Sequence, residues 1–168
     1  KITTGSANMI QNNILTDSKQ LSEKKRKLLK LIIEEQSVTF GVSHIMMNKI
    51  DRINILNASI LAMQKSIKSL ATKPQHIAVD GNRFKSFNNI PFTCIIKGDS
   101  KYLHIAAASI LAKTYRDAYM SQIHNEFPMY NWKKIKGIQL ENTERRLKNS
   151  GSLNITAKAF GYYQNNTI

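Results

Sequence analysis

Acidic side chains are scarce in this chain. It carries 11 Asp and Glu against 25 Lys and Arg in 168 residues, a formal net charge of +14. That imbalance favours a polyanionic partner held through phosphate contacts and counterion release, with nucleic acid the first candidate. Cysteine is nearly absent too. The single Cys94 excludes an internal disulfide and, lying in the apolar run Phe92-Thr93-Cys94-Ile95-Ile96, reads as a small core residue rather than a nucleophile. No apolar run approaches the roughly 18 residues that a membrane span needs. Lys1 to Asn13 is polar and lacks the apolar centre of a signal peptide, so the expected setting is reducing and cytoplasmic, with no membrane partner. The 3 prolines and 7 glycines are too scattered to mark a linker. A single domain over residues 1–168 follows, large enough to bury a core without staples.

Hydrophobic spacing supplies the elements. Ser22 is placed to cap a helix whose apolar face comprises Leu21, Leu28, Leu29, Ile32 and Ile33, leaving Lys24, Lys25, Arg26, Lys27 and Lys30 on a basic outer face. The β-branched alternation Val38-Thr39-Phe40-Gly41-Val42 predicts a strand. A helical stretch runs from Asn48 through Ile67 and stops before Lys73-Pro74, with Met46, Met47 and Met63 as core filler. His76 to Asp80 and Phe92 to Lys97 read as strands, and Ile105 to Glu126 as a long helix packed through Ala106, Ala107 and Ala108. Glu141 to Lys148 suits a short basic helix stopped by Gly151. The order strand, helix, strand, strand, helix predicts an α/β fold, a mixed sheet flanked by helices.

Against the scarcity of acids, two carboxylates stand out. Asp80 follows the apolar Ile77-Ala78-Val79 and precedes Gly81, which places it at the end of a buried strand where a sheet would hold it near a divalent ion. Asp99 occupies a second such spot in Lys97-Gly98-Asp99-Ser100-Lys101. Asp117 adjoins Arg116 on the long helix and is better read as a structural ion pair than as a ligand.

These segments together resemble ribonuclease HII, the type 2 ribonuclease H family, in its bacterial branch. The motifs are Asp17-Ser18-Lys19-Gln20-Leu21-Ser22, Ile53-Asn54-Ile55-Leu56-Asn57-Ala58-Ser59, Val79-Asp80-Gly81-Asn82-Arg83-Phe84, Ile96-Lys97-Gly98-Asp99, Ile105 to Asp117, Phe127-Pro128-Met129-Tyr130 and Lys136-Gly137. They span roughly residues 14 to 137. The resemblance implies a ribonuclease H-like fold and hydrolysis of the RNA strand of RNA/DNA hybrids, including cleavage at single ribonucleotides in duplex DNA, by a monomeric enzyme. It also implies Mg²⁺ or Mn²⁺ held by four carboxylates, because a pair of ions can activate water and stabilise the leaving oxygen without a covalent nucleophile. Asp80 and Asp99 match the family's third and fourth carboxylates and are the expected catalytic and metal-binding residues. Ser18, Lys19, Asn82, Arg83, Lys97, Lys101, Lys113 and Arg116 are the expected substrate contacts.

Two departures qualify the match. The family's Asp-Glu-Ala-Gly-Arg-Gly motif is not found: nothing before Asp17 is acidic. The expectation is therefore a fold whose first strand or strands are missing, or replaced by Lys1 to Gln11, with residues 1–13 atypical. Residues 138–168 diverge as well, since Ile138 stands where the family has a tyrosine that stacks at the RNA–DNA junction. Three functions compete on this reading. The first is a family endonuclease. The second is a truncated or decayed member that is impaired and at most binds nucleic acid. The third is an unrelated basic RNA-binding protein, and the Asp80 and Asp99 motifs speak against it.

Overall fold

The computed structural model describes residues 21–130. Ser18, Lys19, the amino end, the segment from 131 onward and the expected helix Glu141 to Lys148 lie outside the described residues. Helix α1, Glu23–Gln36, begins at Ser22, whose hydroxyl accepts the Lys25 N–H at 3.3 Å. It ends at Ser37, whose backbone N–H and hydroxyl both donate to the Ile33 carbonyl, at 2.9 and 2.6 Å.

Helix α1 packs on the longest helix, α3, Leu103–Glu126. Leu21, Leu29 and Ile33 meet Ala106, Ile110 and Leu111 in the larger core, with Ile32 half-buried beside them. Leu28 does not join this face as expected: it is 57% exposed. Successive helical residues are turned by about 100°, so directing Leu29 and Ile33 at α3 turns Leu28 outward. Of the expected alanine face, Ala106 is buried, Ala107 half-buried and Ala108 exposed.

The strand expected at Val38 to Val42 does not form. No described strand lies beside it to complete its backbone hydrogen bonds, and Val38 is 91% exposed. The segment instead runs against the end of helix α2, Met47–Lys68. There the Thr39 hydroxyl accepts the Ala71 N–H at 3.1 Å, and a Cβ on Gly41 would fall 2.5 Å from the Ser66 carbonyl. Helix α2 is itself interrupted at Asn54, with φ 61° and ψ 167°. Asn54 Oδ1 caps the second segment by accepting the Asn57 N–H at 3.1 Å.

Strands β1, Ile77–Asp80, and β2, Phe92–Ile95, pair in parallel with Ile77 opposite Phe92 and Asp80 opposite Ile95. Among the described residues these two make the whole sheet, all of it parallel. Their connection turns at Asn88 and Asn89, both at positive φ (52° and 56°), a conformation asparagine tolerates better than other side-chain-bearing residues. A second core joins Ile77, Val79 and Ile90 to Met63, Ile67, Phe84 and Cys94. Cys94 is thus the half-buried packing residue that its apolar neighbours suggested. No helix among the described residues is long and apolar enough to cross a membrane.

Candidate metal centre

The pleat of β1 decides where Asp80 goes. Ile77 and Val79 point into the core, and Asp80 emerges exposed where the strand ends. Gly81 follows at φ 110°, a backbone conformation that side-chain-bearing residues rarely adopt, and its N–H still reaches the Ile95 carbonyl at 2.9 Å.

Beyond β2 the chain closes a single 3₁₀ turn, Gly98–Ser100, that carries Asp99. Tyr102 N–H and Lys101 N–H return to the Gly98 carbonyl at 2.8 and 3.0 Å. The Ser100 hydroxyl donates to the Lys97 carbonyl at 2.9 Å, and Lys101 Nζ donates to the Ile96 carbonyl at 3.0 Å. The link between the two acidic segments is direct, because Gly98 N–H donates to Asp80 Oδ1 at 2.8 Å. Asp80 is therefore bonded to the residue that precedes Asp99. Among the described residues Asp80 Oδ2 has no hydrogen-bond partner, and the Asp99 carboxylate has neither a hydrogen bond nor an ion pair.

Carboxylate oxygens left open in this way are hard donors that suit Mg²⁺ or Mn²⁺ rather than a thiophilic metal. Among the described residues no group of three or more His, Cys, Asp or Glu side chains gathers here. Asp80 and Asp99 are the two carboxylates on these adjoining segments, and a small divalent ion bound by only two protein carboxylates would retain much of its water.

The expected substrate contacts divide. Asn82 and Arg83 follow Gly81 on the exposed loop beside Asp80, and Lys97 and Lys101 flank the Asp99 turn, all four exposed. Lys113 and Arg116 lie on α3, where both pair with Asp117. Asp117 Oδ1 lies 2.7 Å from Lys113 Nζ and 3.5 Å from Arg116 Nη1, and its Oδ2 lies 3.3 Å from Arg26 Nη2. Asp117 is accordingly an ion-pair hub between α1 and α3, as its arginine neighbour suggested.

Sequence reasoning missed a groove of about 630 Å³ at the interruption of α2, lined by Lys49, Arg52, Asn54, Asn57, Gln64 and Lys85 among others. Lys85 Nζ donates to Asn57 Oδ1 at 3.2 Å, and Gln64 Nε2 to the Lys85 carbonyl at 3.4 Å. These bonds tie the loop after Asp80 to α2. The available signal was the pair of asparagines in Asn54-Ile55-Leu56-Asn57, residues that favour caps over helix interiors.

A profile of the ribonuclease HII family matches residues 1–160, a wider span than the motifs alone. The ribonuclease HII of Christiangramia forsetii is 54% identical over 150 residues, covering 89% of this chain and 76% of the relative. That of Bacteroides fragilis is 57% identical over 127 residues, covering 76% of this chain and 63% of the relative. Among solved structures, the ribonuclease H2 of Pyrococcus horikoshii superposes with a TM-score of 0.68 over 98% of this chain and 89% of that one, at 20% identity. At that identity the likeness speaks to the fold, which is the expected ribonuclease H-like α/β arrangement.

Proposed function

Because this chain belongs to the ribonuclease HII family, we infer that it is an endonuclease that hydrolyses the RNA strand of RNA/DNA hybrids and cleaves at ribonucleotides embedded in duplex DNA, with Mg²⁺ or Mn²⁺ as cofactor. The observation that carries this reading is the 2.8 Å bond from Gly98 N–H to Asp80, which ties Asp80 to the turn that carries Asp99. Divalent ions bound there would supply Lewis-acid stabilisation of the oxygens exchanged in an in-line displacement. Asp80 and Asp99 hold and orient the ions. Asn82, Arg83, Lys97 and Lys101 then serve to hold the phosphate backbone on either side of the two acids. The groove with Lys49, Arg52 and Lys85 is a second place for backbone phosphates, because its cations surround amide groups able to donate to phosphate oxygens. Ser18 and Lys19 complete the proposed substrate contacts, and the reading takes the protein to be a cytoplasmic monomer.

Cleavage of a labelled hybrid with and without Mn²⁺ tests the reading. Asp80→Asn and Asp99→Asn should each reduce the metal-dependent rate by about 100-fold or more, since misplacing a metal by an ångström removes that much catalysis. Cleavage that persists in chelator, or that survives both substitutions, would overturn it.

A further inference from the structure

A side chain at Gly98 would crowd the buried Ile105, and Gly98 uses its backbone N–H on Asp80. A Cβ there would lie 2.8 Å from Ile105 Cδ1 and 3.4 Å from both Ile105 Cγ2 and Ile95 Cβ. Ile105 is 4% exposed in the first turn of α3, and Ile95 is the β2 residue opposite Asp80. Gly98 is thus wedged between the end of the sheet and the start of the long helix. The preceding Lys97 adopts φ 54° and ψ 43°. Because the ψ of Lys97 sets the direction of the Lys97–Gly98 peptide, this left-handed turn aims the Gly98 N–H at Asp80.

We propose that Gly98 is the positioning residue of the cation site. Its N–H pins Oδ1 of Asp80, which turns Oδ2 toward the ion, and its place next to Asp99 fixes the spacing of the two ligands. Gly98 does not touch the ion and acts through Asp80. The proposal rests on the reading of Asp80 and Asp99 as one cation site. Bonds from the surroundings to a ligating carboxylate typically govern metal affinity by about 10- to 100-fold, and a loss of that size is expected when the turn is displaced.

Mn²⁺ titration of the full chain, read by the electron paramagnetic resonance of free Mn²⁺, tests this without any assay of cleavage. Gly98→Ala should weaken Mn²⁺ binding by about tenfold or more. In an Asp80→Ala background, where the acceptor oxygen is gone, the same change should add less than about twofold, because partners acting on one interaction are not additive. Ile105→Val removes the carbon nearest the new Cβ and should restore part of the affinity of Gly98→Ala. The hydrogen-exchange rate of the Gly98 amide, measured on folded protein that keeps Gly98, should rise in Asp80→Ala, which removes the acceptor oxygen, so the link is tested even if the Gly98→Ala variant does not fold. Unchanged Mn²⁺ affinity in Gly98→Ala, equal losses in both backgrounds, or an amide indifferent to Asp80→Ala would overturn the proposal and leave the cation site standing. Mn²⁺ binding that is absent in the wild type, or undiminished in Asp80→Asn, would overturn the cation site and the proposal together.

Discussion

Lys97 holds a left-handed conformation that a lysine enters only at a cost of about 1–2 kcal/mol, whereas glycine would enter it freely. Its side chain is proposed to contact phosphate, so stability and binding should part company when it is removed. Lys97→Gly is expected to raise stability, on the order of 0.5 kcal/mol once the greater freedom of the unfolded glycine is counted, while Mn²⁺ affinity stays unchanged and hybrid affinity falls. Thermal melts and hybrid titrations check this, and a variant that lost stability along with affinity would mark Lys97 as structural. At this scale the sequence was most informative about the place of Asp80, because an acid after Ile77-Ala78-Val79 and before a glycine marks where a strand leaves the core. It was silent on the backbone of Lys97 and Asn54, since neither is a glycine to mark positive φ. Nor did it show that Gly98 would donate to Asp80 across 18 residues of chain.

Helix α1 was legible because its cap and its i, i+4 pair Leu29 and Ile33 are local signals. The strand at Val38 to Val42 was misread because strand propensity counts only where a neighbouring strand can pair. The contacts between α1 and α3 now give two expectations. Asp117→Asn leaves the Arg26 side chain, only 11% exposed, without its carboxylate, and should destabilise the protein by about 1–3 kcal/mol, measured by urea unfolding. Tyr115 donates its hydroxyl to Glu34 Oε1 at 2.7 Å while Lys30 sits 4.2 Å above its ring. The hydrogen bond first, then burial and the Glu34 charge, push the phenol up to about 12 from an ordinary 10.0. A raised phenol keeps its proton longer when folded than when unfolded. Its contribution is therefore complete below pH 10, and lost as pH rises toward 12. Unfolding measured across that window should decline less steeply in Tyr115→Phe, and identical slopes would show that the Glu34 bond does not form.

On the proposed function, the surplus of basic charge over the whole molecule governs encounter and Asp80 with Asp99 governs chemistry. With a net charge of +14, affinity for a hybrid should drop steeply between about 50 and 200 mM salt, by up to several orders of magnitude if 6–10 phosphates are contacted. A salt-independent affinity would mean that charge is not the driver. The ligand count makes a second expectation, since the resemblance implies four carboxylates and Asp80 and Asp99 are proposed as two of them. Fusing a family-type Asp-Glu-Ala-Gly-Arg-Gly strand ahead of Asn12 should raise cleavage by orders of magnitude, and Asp80→Asn in that fusion should abolish the gain. Equal rates with and without the strand would mean that other acids complete the site. Apart from the strand at Val38 to Val42, the order of helices and strands was readable from periodicity, whereas the parallel pairing of β1 and β2 depends on contacts across the chain that no local pattern encodes. The most direct test of the central claim, that Asp80 and Asp99 form one cation site, is a crystal structure of the protein soaked in Mn²⁺ and recorded at the manganese edge. An anomalous peak within about 2.0–2.6 Å of oxygens from both residues is the predicted result, and manganese bound elsewhere, or to one of them alone, would contradict it.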